Sequence, residues 1–229
     1  MPTAAKEKII VALDVPTAAE AKAILTELEG AATWCKIGMQ LFTKEGPSVV
    51  ALAKAHGFQV FLDLKFHDIP NTVASGVRSA AELGVDMLTI HLAGGPEMIR
   101  GAVAAAPNVC VLGVSVLTSS TAETLAAVGI PHDPASWVPQ LAGVGADCGI
   151  GGIVCSPLEI GTVRAAVGPD VKIVTPGVRP AGADLGDQKR VLTPAAAIAA
   201  GADYLVIGRP ILAATDRRAA FEAVVAEIA

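Results

Sequence analysis

Eight short runs of β-branched and other apolar residues recur along the chain, separated by stretches rich in alanine. The runs fall at 9–15, 34–39, 60–65, 87–93, 109–118, 152–156, 172–178 and 204–208. Helical segments are expected at 18–29, 44–56, 71–83, 96–105, 135–147, 157–167, 193–200 and 216–228. Strands that alternate with helices form a parallel sheet, because a parallel connection needs a crossover long enough to hold a helix. Eight such units can close the sheet on itself. The expected fold is therefore α/β, a (β/α)8 TIM barrel in which residues 1–229 make a single domain. Helix starts carry suitable signals: Pro16-Thr17 opens the first, Asn71 is expected to cap the third, and Thr193-Pro194 opens the seventh. A doubly wound open sheet would carry a glycine-rich phosphate turn after its first strand. Here that turn reads Leu13-Asp14-Val15-Pro16, without glycine.

A length of 229 residues suits one barrel. Hydrophobic residues make up 52% of the chain, yet no uninterrupted apolar run reaches the ~18 residues of a membrane helix. The first apolar run is short, carries Asp14 and lacks a leader-cleavage pattern, so a soluble cytoplasmic protein with no membrane partner is expected. A net charge of -5 argues against a nucleic-acid partner but leaves room for a small anion held by a few placed cations. Cys35, Cys110, Cys148 and Cys155 show no paired spacing and read as reduced, buried thiols. His56, His67, His91 and His132 show no metal-binding spacing, so no metal is expected.

Two connections exceed what an α/β unit needs. One spans 119–134 and holds a short helix-like piece at 122–128; the other spans 179–192. Both follow strands, so both belong to the C-terminal face of a barrel, where active sites and closing loops gather.

Side chains alternate along a strand. In Val60-Phe61-Leu62-Asp63-Leu64-Lys65, Leu62 and Leu64 should face the helices, which turns Asp63 and Lys65 inward at the strand's C-terminal end. Asp68 follows in the loop. By the same parity Lys36 opposes Cys35 and Ile37, and Thr89 and His91 oppose Ile90 and Leu92, while Asp14 ends the first strand. Asp63 and Lys65 alone could be a structural ion pair. Two lysines and three carboxylates at one mouth are harder to explain that way, since buried charge is costly without a use. A separate anion site is expected after the seventh and eighth strands, the usual phosphate position of barrels. There the chain reads Thr175-Pro176-Gly177-Val178-Arg179-Pro180, then Gly186-Asp187-Gln188, and finally Ile207-Gly208-Arg209-Pro210. Gly208 lets backbone N–H groups approach an anion, and Arg209 supplies a forked cation. Each arginine alone could be an ordinary surface residue. Gly149-Ile150-Gly151-Gly152 precedes a strand and reads as a tight connection. His67 reads as a structural or positioning residue, and Trp34 and Trp137 as packing residues.

The run Asp63-Leu64-Lys65-Phe66-His67-Asp68-Ile69-Pro70-Asn71-Thr72 resembles the signature of the orotidine 5'-phosphate decarboxylase family. Supporting segments are Ala12-Leu13-Asp14, Lys36-Ile37-Gly38, Val116-Leu117-Thr118-Ser119, the Thr175 to Pro180 run, Gly186-Asp187-Gln188 and Tyr204 to Pro210. The resemblance extends from residue 9 to about 210. It implies decarboxylation of orotidine 5'-monophosphate to uridine 5'-monophosphate, the last step of de novo pyrimidine nucleotide synthesis, without a cofactor. It implies Lys65 as the proton donor to C6 of the pyrimidine, flanked by Asp63 and Asp68. Asp14 and Lys36 would contact the ribose and extend the charged array, Thr118 would lie at the base, and Arg179 would belong to a closing loop. Gln188, Arg209 and Gly208 would hold the phosphate. It further implies a homodimer whose sites are shared, with Asp68 and Thr72 acting in trans. Two alternatives stand beside it: a magnesium-dependent decarboxylase or aldolase for a sugar phosphate, which shares the Asp-x-Lys-x-x-Asp pattern, and a non-catalytic nucleotide-binding barrel.

Overall fold

The computed structural model describes residues 5–180 and 192–229. Its eight strands are β1 (Ile9–Ala12), β2 (Trp34–Gly38), β3 (Gln59–Phe66), β4 (Met87–His91), β5 (Cys110–Val114), β6 (Gly152–Val154), β7 (Lys172–Pro176) and β8 (Tyr204–Ile207). Each pairs in parallel with its neighbours in sequence, and β8 returns to β1, closing the barrel. The helices are α1 (Ala18–Leu28), α2 (Met39–Glu45), α3 (Ser48–Ala55), α4 (Pro70–Glu82), α5 (Gly95–Ala105), α6 (Ala122–Ala127), α7 (Pro134–Asp147), α8 (Ile160–Val167), α9 (Pro194–Ala199), α10 (Arg209–Leu212) and α11 (Arg217–Glu227). Among the described residues no helix is long and apolar enough to cross a membrane.

Alternation divides the core in two. Outward-facing strand residues such as Val11, Cys35, Val60, Leu62, Leu88 and Ile90 pack beneath the helices. Inward-facing Ile10, Ala12, Trp34, Phe61, Met87, Leu112, Val174 and Val206 fill the barrel itself. Trp34 meets Tyr204 edge-on at 5.7 Å inside that plug, and Trp137 stacks on His132 at 4.8 Å. Gly151, just before β6, and Gly152, its first residue, are needed for closeness. A Cβ on Gly152 would come within 2.7 Å of Leu112 and 2.8 Å of the Lys172 carbonyl.

Three local expectations are corrected. The segment 44–56 is two helices that begin earlier, because Gly46 adopts φ 66 and Pro47 supplies no N–H to continue the first. Asn71 does not cap the third helix: Pro70 already holds the first helical position, whose φ its ring presets, and Ile69 occupies the cap position. The first and fifth strands stop at Ala12 and Val114, short of residues 15 and 118, so their tails curl over the mouth. Thr17 and Thr193 cap α1 and α9 as expected, accepting from Glu20 N and Ala196 N.

One device recurs at the N-terminal rim, four strands apart. Asp86, before β4, accepts from Val60 N at 2.7 Å and Lys54 Nζ at 2.9 Å. Asp203, before β8, accepts from Ile173 N at 2.8 Å and Arg164 Nη2 at 2.6 Å. Each aspartate fastens the start of its own strand to that of the preceding one, leaving the opposite rim for chemistry.

Candidate active site

In β2, β3 and β4 the inward residue beyond the apolar plug is polar: Lys36 after Trp34, Asp63 after Phe61, Thr89 after Met87. Asp14 reaches over from the loop that follows β1. These groups form a chain of alternating charge. Lys36 Nζ lies 3.2 Å from Asp14 Oδ1 and 3.4 Å from Asp63 Oδ2. Lys65 Nζ lies 2.7 Å from Asp63 Oδ1. Lys36 is 9% exposed. Burial by itself would raise the Asp63 carboxyl, but Lys36, Lys65 and hydrogen bonds from Lys65 and Thr89 hold it below its usual value.

The parity expectation for Lys65 holds, although the strand carrying it is irregular. The β3–β4 ladder jumps from Leu62↔Leu88 to Phe66↔Ile90, so three residues of β3 oppose Thr89 alone. Lys65 absorbs the distortion at φ 53, the one non-glycine with positive φ among the described residues. That conformation costs a side-chain-bearing residue roughly 1–2 kcal/mol. Its N–H donates to Thr89 Oγ1 at 2.9 Å, and Thr89 Oγ1 donates to Asp63 Oδ1 at 3.0 Å. Sequence parity had turned Thr89 inward without assigning it a part in the site. Its position opposite the bulge could not be read from spacing.

A cavity of about 250 Å³ opens above these residues. Its β1–β3 side carries Asp14, Lys36, Asp63 and Lys65, and its β5–β8 side is lined by Val114, Val154, Pro176 and Val206. Thr118 lies on the wall after β5. Arg179, Gly208 and Arg209 line the end formed after β7 and β8. A Cβ on Gly208 would lie 3.4 Å from Ala12 Cβ and Asp14 Oδ2, which places this end of the cavity beside Asp14. Arg179 is largely buried and donates through Nη1 to the Val178 carbonyl at 2.9 Å. Its N–H donates to the Leu192 carbonyl at 3.0 Å, beside a Val178↔Leu192 bridge. Gln188 and most of the proposed closing loop lie outside the described residues.

Two expected site residues stand apart from the cavity. Asp68 and Thr72 are exposed, and neither lines it. Asp68 Oδ1 accepts from Ile69 N at 2.6 Å and makes no ion pair among the described residues. Ile69, between them, is a large apolar side chain 67% exposed. His67 and His91 stand with ring centroids 5.4 Å apart at the same mouth. Cys35, Cys148 and Cys155 are buried and free, while Cys110 is partly buried. Desolvation pushes the Cys35 and Cys155 thiols up to about 12 and Cys110 to about 11, which keeps them unreactive.

Comparison with known proteins bears on this arrangement. The family model described as Orotidine 5'-phosphate decarboxylase / HUMPS family matches residues 7–224. The chain is 49% identical over 226 residues to an orotidine 5'-phosphate decarboxylase of Halorhodospira halophila, covering 97% of this chain and 96% of that one. It is 52% identical over 221 residues to one from Anaeromyxobacter sp. (strain K), covering 96% and 97%. Its fold is similar to a crystal structure of orotidine 5'-phosphate decarboxylase from Lactobacillus acidophilus, with TM-score 0.86 and 36% identity over 97% of this chain and 99% of the other.

Proposed function

The chain belongs to the orotidine 5'-phosphate decarboxylase / HUMPS family, and we propose that its charged barrel mouth removes CO2 from C6 of orotidine 5'-monophosphate with Lys65 as the proton donor. The enzyme is a carboxy-lyase of pyrimidine nucleotide synthesis that yields uridine 5'-monophosphate. One observation carries the residue assignment: the alternating Asp14, Lys36, Asp63, Lys65 array faces an apolar wall across a single cavity. The apolar wall suits the face of a pyrimidine. The array suits ribose hydroxyls and a reacting carbon, and Arg179 and Arg209, after β7 and β8, suit a phosphate.

Loss of CO2 leaves an electron pair at C6 in the plane of the ring, where the π system cannot take it up. The protein must meet that charge with groups already in place. An ammonium fixed beside C6 stabilises the developing carbanion and then donates its proton there, leaving Lys65 as the free amine until it regains a proton. Because Asp63 and Lys36 are already locked to one another, little reorganisation accompanies the step. This supports a cofactor-free reaction. Both oxygens of Asp63 also face ammonium groups, which a divalent cation would have to displace, and that favours the pyrimidine reading over the magnesium-dependent one. Gln188, Arg209 and the backbone at Gly208 are the proposed phosphate ligands, with Thr118 at the base and the segment from Arg179 to residue 192 as the closing loop. Binding energy from the phosphate, remote from the reacting carbon, can drive that closure.

We further propose a homodimer with shared sites. Lys65 Nζ has one carboxylate partner among the described residues and borders the cavity, while Asp68 is exposed beside Ile69 and unpaired. Delivery of Asp68 and Thr72 to a second copy would place the substrate carboxylate near Asp68. Repulsion there would be relieved as CO2 departs, a smaller contribution than the preorganised ammonium. A nucleotide substrate supports a cytoplasmic location. Loss of orotidine monophosphate absorbance on adding the protein tests the activity. Tight binding of uridine monophosphate without that loss would identify a non-catalytic barrel, and abolition by a chelator would point to the metal-dependent alternative.

A further inference from the structure

We infer that Thr89 is a positioning residue for the decarboxylation: its hydroxyl ties the left-handed backbone of Lys65 to the carboxylate of Asp63, and so aims the lysine ammonium. The bulge in β3 removes Lys65 N from the strand ladder. A backbone N–H in a barrel mouth needs an acceptor, and Thr89 Oγ1 supplies it at 2.9 Å. A hydroxyl has one proton. Lys65 N–H can only donate and the Asp63 carboxylate can only accept, so the direction of both bonds is fixed and the Thr89 proton points at Asp63 Oδ1, 3.0 Å away. The same oxygen receives Lys65 Nζ at 2.7 Å. Three bonds thus close a loop from the lysine backbone, through threonine and aspartate, back to the lysine side chain. Thr89 is 1% exposed, so water does not compete for these bonds, and its β-branched side chain is stiff about χ1. Thr89 is absent from the cavity lining and acts only through its neighbours.

The inference rests on Lys65 and Asp63 being the reacting pair. Thr89→Val keeps the shape and removes the hydroxyl, and Thr89→Ser keeps the hydroxyl and removes a methyl. A misaimed reacting group lowers turnover more than binding, so Thr89→Val should reduce kcat by about 10- to 100-fold while the affinity for uridine monophosphate stays within about threefold. Thr89→Ser should recover most of that loss. The inference is overturned if Thr89→Val turns over normally, if the serine variant is as poor as the valine variant, or if the loss appears equally in nucleotide affinity. Failure of Thr89→Val and Thr89→Ala to fold while Thr89→Ser folds with impaired turnover would also overturn it, since the hydroxyl would then serve the barrel rather than the aim of Lys65. If neither hydroxyl-free variant folds, a serine enzyme with near-normal kcat overturns it as well, since the hydroxyl has then been shown to serve folding and not the aim of Lys65. A Thr89→Val enzyme with normal turnover, beside a dead Lys65→Ala enzyme, would remove the role of Thr89 and leave that of Lys65 standing.

Discussion

Asp63 holds two lysines at once: its Oδ1 lies 2.7 Å from Lys65 Nζ on the same strand, and its Oδ2 lies 3.4 Å from Lys36 Nζ on the neighbouring one. A single carboxylate therefore sets the spacing of both ammonium groups. Moving either lysine strains the other, which is the physical meaning of preorganisation at this mouth.

Replacement of Lys65 by alanine removes both the charge beside C6 and the proton donor. Turnover should fall by about a thousandfold or more, while phosphate-bearing ligands still bind. Single-turnover kinetics alongside calorimetric titration with uridine monophosphate measure the two separately. Near-normal turnover would defeat the assignment of Lys65.

Shared sites make an arithmetic prediction for mixed chains. Lys65→Ala and Asp68→Ala enzymes should each be inactive, yet their mixed dimer holds one site with neither substitution. An equimolar, statistically exchanged mixture should show roughly a quarter of wild-type activity per chain. No recovery in dimers verified as mixed would place Asp68 in its own chain's site or outside the chemistry.

Arg209 lines the end of the cavity formed after β8. If it holds the phosphate, Arg209→Ala should lower kcat/KM for the nucleotide by about 10- to 100-fold, the value of a charge-assisted hydrogen bond. The phosphate-free nucleoside should be affected far less. Equal losses for both substrates would refute the role.

His91 should make the fold acid-sensitive. Burial lowers its value from the usual 6.5, His67 and Lys65 push the same way, and Asp63 opposes them. Above 6.5 both folded and unfolded forms are neutral and His91 costs nothing. As pH falls from 6.5 towards the lowered folded value, the unfolded chain binds the proton first, so stability is lost across that window. Urea midpoints at about pH 7.5 and about pH 5.5, at one protein concentration, should drop further for the wild type than for His91→Gln. Equal drops would show that His91 does not carry the effect.

The barrel and most of its mouth were legible in the chain itself. Strand alternation with helices dictated a parallel closed sheet, and period-two alternation turned Lys36, Asp63, Lys65 and Thr89 inward. Those deductions depend only on local periodicity, which any sheet must obey. The two-part helix at 39–55 was less legible, because Gly46 and Pro47 interrupt a pattern that remains apolar on one face.

Other features needed the closed structure. Spacing placed Asp63 and Lys65 on one face, but it could not show that two extra residues in β3 bulge opposite Thr89, or that Lys65 sits at φ 53. Register between strands is decided by how neighbouring strands pack, and no single strand encodes it alone. Asp68 shows the division differently. The family resemblance implied that it acts in trans, but its distance from Lys65 along the chain could not show its surroundings, and the fold leaves it exposed just before α4, with no ion pair among the described residues. The sequence determined which residues carry the charges and which wall of the barrel they occupy, since alternation and strand order are local. Tertiary structure decided which of them meet, because the distance between two charges depends on bulges, loop paths and packing that only form when the barrel closes.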